Sequence, residues 1–130
     1  MKIAIIGGRN FNNYQLLLNT LAHKHDKISL IVSGGADGAD TLAERFADEF
    51  NIKKSIHDAE WDNLDTDNPC VVKYNKRGKP YNCLAGFNRN TDIITECDIL
   101  IAFWNGKSPG TKDSIDKAAS LNKKIKVITY

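Results

Sequence analysis

The stretch ISLIVSGGADGADTLAERFADEF, residues 28–50, decides the fold. Ile28-Ser29-Leu30-Ile31-Val32 is an apolar run of the length and density of a strand buried on both faces. Ser33-Gly34-Gly35 breaks that run, and Gly38 follows closely. Ala39, Leu42, Ala43, Phe46, Ala47 and Phe50 then recur at the spacing of one helix face. A buried strand passing through glycines into an amphipathic helix is half of a β-α-β unit, the building block of parallel sheets. The glycines themselves have two explanations. They serve a tight turn, or they let a ligand approach a backbone that carries no Cβ.

The same alternation extends outward. Lys2 to Ile6 and Cys97 to Trp104 read as buried strands, Ile125 to Tyr130 as a similar one, and Lys54 to Ala59 as a weaker one. Tyr14, Leu17, Leu18, Leu21 and Ala22 define a helix face. Leu84, Phe87, Thr91 and Ile94 allow another helix, and Ile115, Ala118 and Ala119 mark a shorter one. The order predicts a single α/β domain over residues 1–130, with a parallel sheet of about five strands and helices on both faces. Residues from about 62 to 82 fit neither period. They hold Pro69, Gly78, Pro80 and the basic run Lys73, Lys76, Arg77, Lys79, and read as a long loop or flap.

Composition narrows the function classes. With 130 residues, 42% hydrophobic and 26% charged, the chain has an ordinary globular balance. A net charge of +2 argues against a nucleic-acid partner on electrostatic grounds. No apolar run reaches the roughly 20 residues of a membrane span. The N-terminus reads as a strand, not as a signal peptide. Cys70, Cys83 and Cys97 are odd in number and widely spaced, which suits free thiols in the cytoplasm. His23, His25 and His57 lack metal spacing, and Asp58, Glu60, Asp62, Asp65 and Asp67 lack the glycine and glutamate of a calcium loop, so no metal is expected. Neither the dinucleotide fingerprint, the Walker A motif nor a G-x-S-x-G elbow occurs.

The placement of the remaining glycines is more informative. Gly7-Gly8-Arg9 ends the first strand, Ser33-Gly34-Gly35 the second, and Asn105-Gly106-Lys107-Ser108-Pro109-Gly110-Thr111 follows the Cys97–Trp104 run. Open α/β sheets bind ligands in the crevice outside the carboxyl ends of their strands. Three such loops on one edge, two of them leading into helix N-termini, favour a phosphate- or nucleotide-sized ligand.

Four motifs in order, GGRNF (7–11), SGGADGADTLAERFA (33–47), AGFNRN (85–90) and AFWNGKSPGT (102–111), resemble the YspA-like branch of the SLOG superfamily. That superfamily also includes the Lonely Guy cytokinin-activating enzymes and the DNA-processing protein A group. The resemblance spans nearly the whole chain. It implies a compact Rossmann-like sheet and a nucleotide or nucleotide-derived ligand, with no further cofactor evident. It also implies a site: Gly8 and Arg9 beneath the ligand, Ser33, Gly34, Gly35 and Asp37 on phosphate or ribose, and Gly110 and Thr111 on phosphate. Arg89 is the looser counterpart of a functional arginine. Where the Lonely Guy enzymes carry the glutamate of P-G-G-x-G-T-x-x-E, this chain has Ser114. Asp113, one position early, is rotated by about 100° on a helix. The resemblance thus supports binding more than hydrolysis.

Each candidate has a plainer alternative. Arg9 is either a phosphate fork or a surface ion-pair partner. Arg89, between Asn88 and Asn90, is a ligand residue or part of a helix cap. Gly7, Gly106, Lys107 and Ser108 belong to the glycine loops, with Lys107 equally at home as a solvated charge. Asp37 and Asp40 bind ribose or stabilise the helix start. Trp104 stacks on a base or packs a strand end. The expected function is binding of a nucleotide derivative as a sensor or scavenger. A nucleotide N-glycosidase or phosphoribosyl-transfer enzyme is the alternative, with Asp113, Asp37 or Asp40 as its carboxylate. A DNA-associated role rests only on the Lys73–Lys79 run. A homodimer is open, through helices or through the edge at Ile125–Tyr130.

Overall fold

The computed structural model describes residues 1–62, 64 and 71–130. The flanking residues 63 and 65–70, which include Asp65, Asp67, Pro69 and Cys70, lie outside the described residues. Among those described, β1 (Lys2–Gly7), α1 (Tyr14–Leu21), β2 (Leu30–Ser33), α2 (Ala39–Glu49) and β3 (Lys53–Ile56) come first. A 3₁₀ segment, Ala22–Lys27, extends α1. The second half holds β4 (Val72–Tyr74), β5 (Pro80–Asn82), α3 (Ala85–Glu96), β6 (Ile99–Trp104), α4 (Pro109–Ser120) and β7 (Lys124–Thr129).

Five strands form one sheet in the order β3-β2-β1-β6-β7. Every pairing in it is parallel, with Ile5 opposite Ile101 and Ala4 opposite Val32 at the centre. The Rossmann-like α/β fold is therefore as expected. Side chains alternate across a strand, so a strand covered on both faces must be apolar at successive positions. Ile3 and Ile5 enter one core with Leu17, Leu21, Phe46 and Phe103, against α1 and α2. Ala4 and Ile6 enter the other with Ile93, Ile94, Leu100 and Ala118, against α3 and α4. The outer strands β3 and β7 expose lysines, Lys53, Lys54, Lys124 and Lys126, which discourages edge-to-edge pairing.

The helix after β6 is longer than its apolar pattern suggested. It begins at Pro109, with Ser108 as N-cap accepting from the Thr111 amide. Proline suits the first helical position because its missing N–H has no partner there in any case. Asn51 and Asn122 close α2 and α4 with positive φ, as residues after a helix often do.

The segment read as a loop or flap carries an antiparallel hairpin, β4 against β5. Asn75 organises its turn: the side-chain oxygen accepts from the amides of Arg77 and Lys79, each at 2.9 Å, and Gly78 supplies a positive φ. The Asn82 amide donates to the Trp61 carbonyl at 2.7 Å and ties the hairpin to the chain leaving β3. No helix among the described residues is long and apolar enough to cross a membrane.

Candidate functional site

Between β1 and β6 the chain changes direction across the sheet: β1 connects onward to β2, while β6 connects onward to β7 on the other side. That switch point opens a crevice at the carboxyl ends of the strands. A cavity of about 450 Å³ occupies it. Gly7, Gly8, Arg9 and Asn10 form its base, Ala36 and Asp40 one wall, and Arg89, Asn90 and Ile93 of α3 another. Asn105, Ser108, Pro109, Gly110, Thr111 and Ser114 close it from the start of α4.

Arg89 stands at the centre. Its Nη1 donates to the Gly34 carbonyl at 2.7 Å and its Nε to Asn90 Oδ1 at 3.3 Å. Asn90 in turn donates to the Gly110 carbonyl at 3.3 Å and to Asp113 Oδ2 at 3.2 Å. One chain of hydrogen bonds thus links the loop after β2, the face of α3 and the first turn of α4. Such a network fixes the guanidinium before any ligand arrives.

The start of α4 is built to leave one amide open. Pro109 has no N–H, and the Thr111 amide and hydroxyl both turn to Ser108 Oγ, at 3.5 and 3.1 Å. The first amides of a helix lack intrahelical partners, so Gly110 N–H remains available. A Cβ at Gly110 would meet nothing within 4 Å. Bare backbone, the positive end of a helix dipole and Arg89 therefore face the same cavity.

Asp40 supplies the opposing charge. It is 8% exposed, and its Oδ2 accepts from the Ala36 amide at 3.1 Å. Burial pushes its pKa up to about 6, against the pull of hydrogen bonds from Ala36 and Gly34 and of the Arg89 charge. Near neutral pH this carboxyl is therefore mostly ionised, and it takes up its proton as pH falls through about 6.

The structure separates the other candidates. Gly34, Gly35 and Asp37 line a second hollow of about 370 Å³, which shares Arg9, Ala36 and Arg89 with the first. Ser33 is buried beneath α2, where its hydroxyl donates to the Asp40 carbonyl at 3.4 Å. Trp104 braces the turn before α4 by donating from Nε1 to the Ser108 carbonyl at 3.1 Å. Gly106 and Lys107 are exposed at the tip of that turn, which Asn105 Oδ1 organises by accepting from the amides of Lys107 and Ser108. Asp113 is engaged by Asn90 and by Lys117 Nζ at 2.7 Å, on the side where α4 meets α3.

Asn10 and Asn105 escaped the sequence reading as cavity residues, as did Asp58 and Trp61 in the second hollow, while the sequence marks Ser114 only as the residue in the glutamate's place. For Asn10 and Asn105 a signal existed, since each lies in a loop already singled out. Trp61 lies beyond β3 with no local pattern to mark it. Ser55 Oγ and His57 Nε2 both meet Glu96 Oε1, at 2.5 and 2.9 Å. The serine proton goes to the carboxylate, not to the imidazole, so this cluster is not assembled as a nucleophile and its base. Among the described residues no group of three or more His, Cys, Asp or Glu is placed to hold a metal ion.

Comparison with known proteins places the chain. Residues 1–63 match the YspA, cpYpsA-related SLOG family. The Gene 61 protein of Mycobacterium phage D29 is 28% identical over 126 residues, covering 90% of this chain and 87% of that protein. Two solved structures of DNA processing protein A share the fold. That from Helicobacter pylori, described with a single-stranded DNA binding mode, has a TM-score of 0.67 at 23% identity over 98% of this chain. That from Streptococcus pneumoniae has a TM-score of 0.71 at 19% identity over 97% of this chain. The chain spans 64% and 49% of those two proteins, respectively. Residues 1–63 thus carry the YspA, cpYpsA-related SLOG pattern, and the chain as a whole shares the fold of the two DNA processing protein A structures.

Proposed function

We propose that the crevice binds a nucleotide or nucleotide-derived small molecule by its phosphate, in a sensor or scavenger. The observation that carries this reading is Arg89, held by the Gly34 carbonyl over the cavity onto which α4 opens at Gly110. Guanidinium forks and helix-terminal amides are complementary to phosphate oxygens. Anion binding would also favour the protonated form of Asp40.

Binding without turnover is the preferred form of the proposal. Ser114, where the Lonely Guy enzymes have a glutamate, is buried and lines the cavity. Asp113 is committed to Asn90 and Lys117. An N-glycosidase built here would therefore have to use Asp40, whose raised pKa suits a general acid. Mass spectrometry of small molecules released from the denatured protein tests both forms. Intact nucleotide, lost in Arg89→Ala, supports binding. Free base or ribose phosphate, abolished by Asp40→Asn, supports cleavage instead.

A second reading follows from the hairpin. Lys73, Lys76, Arg77 and Lys79 are concentrated on it beside Tyr74, which is 70% exposed. Basic side chains interleaved with an aromatic suit a single-stranded nucleic acid. The Helicobacter protein's single-stranded DNA binding mode lends that reading weight that the near-neutral net charge does not. It requires an oligonucleotide affinity that falls steeply with salt and is lost when the four cations are neutralised together.

A further inference from the structure

Seven of the ten exposed large apolar side chains among the described residues fall between Ile56 and Phe87. The fold gathers them at one corner, by the start of α3. The Val71 carbonyl accepts from the Cys83 amide at 3.0 Å and the Trp61 carbonyl from the Asn82 amide at 2.7 Å, while the Trp61 ring lies against Gly86, next to Phe87. Side chains alternate across the hairpin, so Tyr81 turns to Trp61 while Val72 and Tyr74 share the opposite face, 44% and 70% exposed. Contiguous exposed apolar surface marks an interaction site, whereas scattered apolar residues need no explanation.

The same corner carries charge of both signs, and the two are segregated. Lys73 on β4 and Lys76 and Arg77 in the hairpin turn are exposed, and Asn75 holds that turn in shape. Beside the hairpin lies a cavity of about 520 Å³, bounded by Asn82 of β5, the loop after β3 and α3. Asp58, Glu60 and Asp92 line it with three carboxylates. Its basic groups are engaged within the chain, Arg89 by the Gly34 carbonyl and His57 by Glu96. The cavity is therefore acidic where the hairpin turn is basic.

A surface that pairs with its own copy about a two-fold axis must be complementary to itself. A basic turn and an acidic cavity, with exposed apolar side chains beside both, meet that condition. A nucleic acid fits less well, because phosphates drawn to Lys76 and Arg77 would lie beside carboxylates of like charge. We propose that this corner is the interface with a second copy of the chain. Each protomer places Lys76 and Arg77 of its hairpin turn at Glu60 and Asp92 of the other, and the contact covers Val72 and Tyr74. The interface does not depend on what the crevice binds.

The test is sedimentation equilibrium of the full chain: wild type, the hairpin variant Lys76→Glu/Arg77→Glu, the cavity variant Glu60→Lys/Asp92→Lys, and an equal mixture of the two variants. The wild type is expected to form a dimer that loosens as salt is added. Either variant alone sets like charges against each other in both halves of the contact and is expected to dimerise at least about tenfold more weakly. The mixture is expected to return to dimer, since every hairpin then meets a cavity of opposite sign. A folding defect in either variant would not be repaired by mixing. Monomeric wild type overturns the proposal, and oligonucleotide binding lost in the hairpin variant would then assign the hairpin to nucleic acid. A dimer that neither variant weakens, or that mixing does not restore, overturns it as well and moves the contact to another face.

Discussion

Two glycine-rich loops lead into helices on the same edge of the sheet, yet they are built for different ends. After β2, the glycines are consumed by the fold. The Arg89 guanidinium covers Gly34, Asp58 packs on Gly35, and Gly38 adopts φ 77° and ψ −123° against the backbone of Gly8 and Arg9. After β6, Gly106 and Gly110 have nothing within 4 Å of where a Cβ would stand. The first loop uses glycine to let side chains close on Gly34 and Gly35 and backbone close on Gly38. The second leaves backbone uncovered. Similar composition therefore hides a division between a loop that positions the site and a loop that faces the ligand.

The sharpest break in this comparison is expected at Gly38. An alanine there must adopt a conformation that L-residues avoid and must push apart the loop after β1. Together these cost about 2–5 kcal/mol, measurable by denaturant unfolding. Gly110→Ala is expected to leave stability within about 1 kcal/mol of wild type, or to raise it, because alanine is the better helix former.

A second effect concerns Asp40. Its folded pKa, about 6, lies above the ordinary value of 3.8, so the folded state holds a proton that the unfolded state has released. Its contribution to stability is therefore greatest at low pH, declines as pH rises from about 4 to about 6, and is flat above. A shift of this size corresponds to roughly 3 kcal/mol at full development. Asp40→Asn should remove that slope when unfolding is followed between pH 4 and 7. A wild-type slope that persists in the variant would place the titration elsewhere. For the same reason, phosphate affinity should rise as pH falls from 7 to 5, through loss of the competing charge.

The smallest expected effect is at Lys107. It is exposed at the tip of the second loop, outside the described lining of the cavity. Lys107→Ala should change stability by less than about 0.5 kcal/mol and leave nucleotide affinity within about twofold. A larger loss of affinity would mean that the tip closes on the ligand.

The sheet was legible because its strands are covered on both faces, so Ile3 to Ile6 and Leu100 to Phe103 are apolar without interruption. Helix α2 was equally clear from its buried stripe, Ala39, Ala43, Phe46 and Ala47. Where burial is slight the signal fades. Strands β4 and β5 are three residues each and largely exposed, and their pairing depends on the Asn75 turn, not on an apolar period. The first turn of α4 was read as loop because Ser108-Pro109-Gly110-Thr111 is a capping sequence with no apolar residue to extend the helix face. The crevice was legible from glycines at strand ends. The roles within it were not, because Arg89 reaches Gly34 across 55 positions and Trp61 comes to share a hollow with Gly35 and Asp37 only in the folded chain.

The central claim is that the uncovered backbone of α4 at Gly110, beside Arg89, receives phosphate. The most direct measurement is isothermal titration of a purine nucleoside monophosphate into wild type and Gly110→Val, with melting temperatures recorded alongside. We expect one binding site in the wild type, and an affinity at least about tenfold weaker in Gly110→Val, at little change in melting temperature. Equal affinity in the two proteins would contradict the claim.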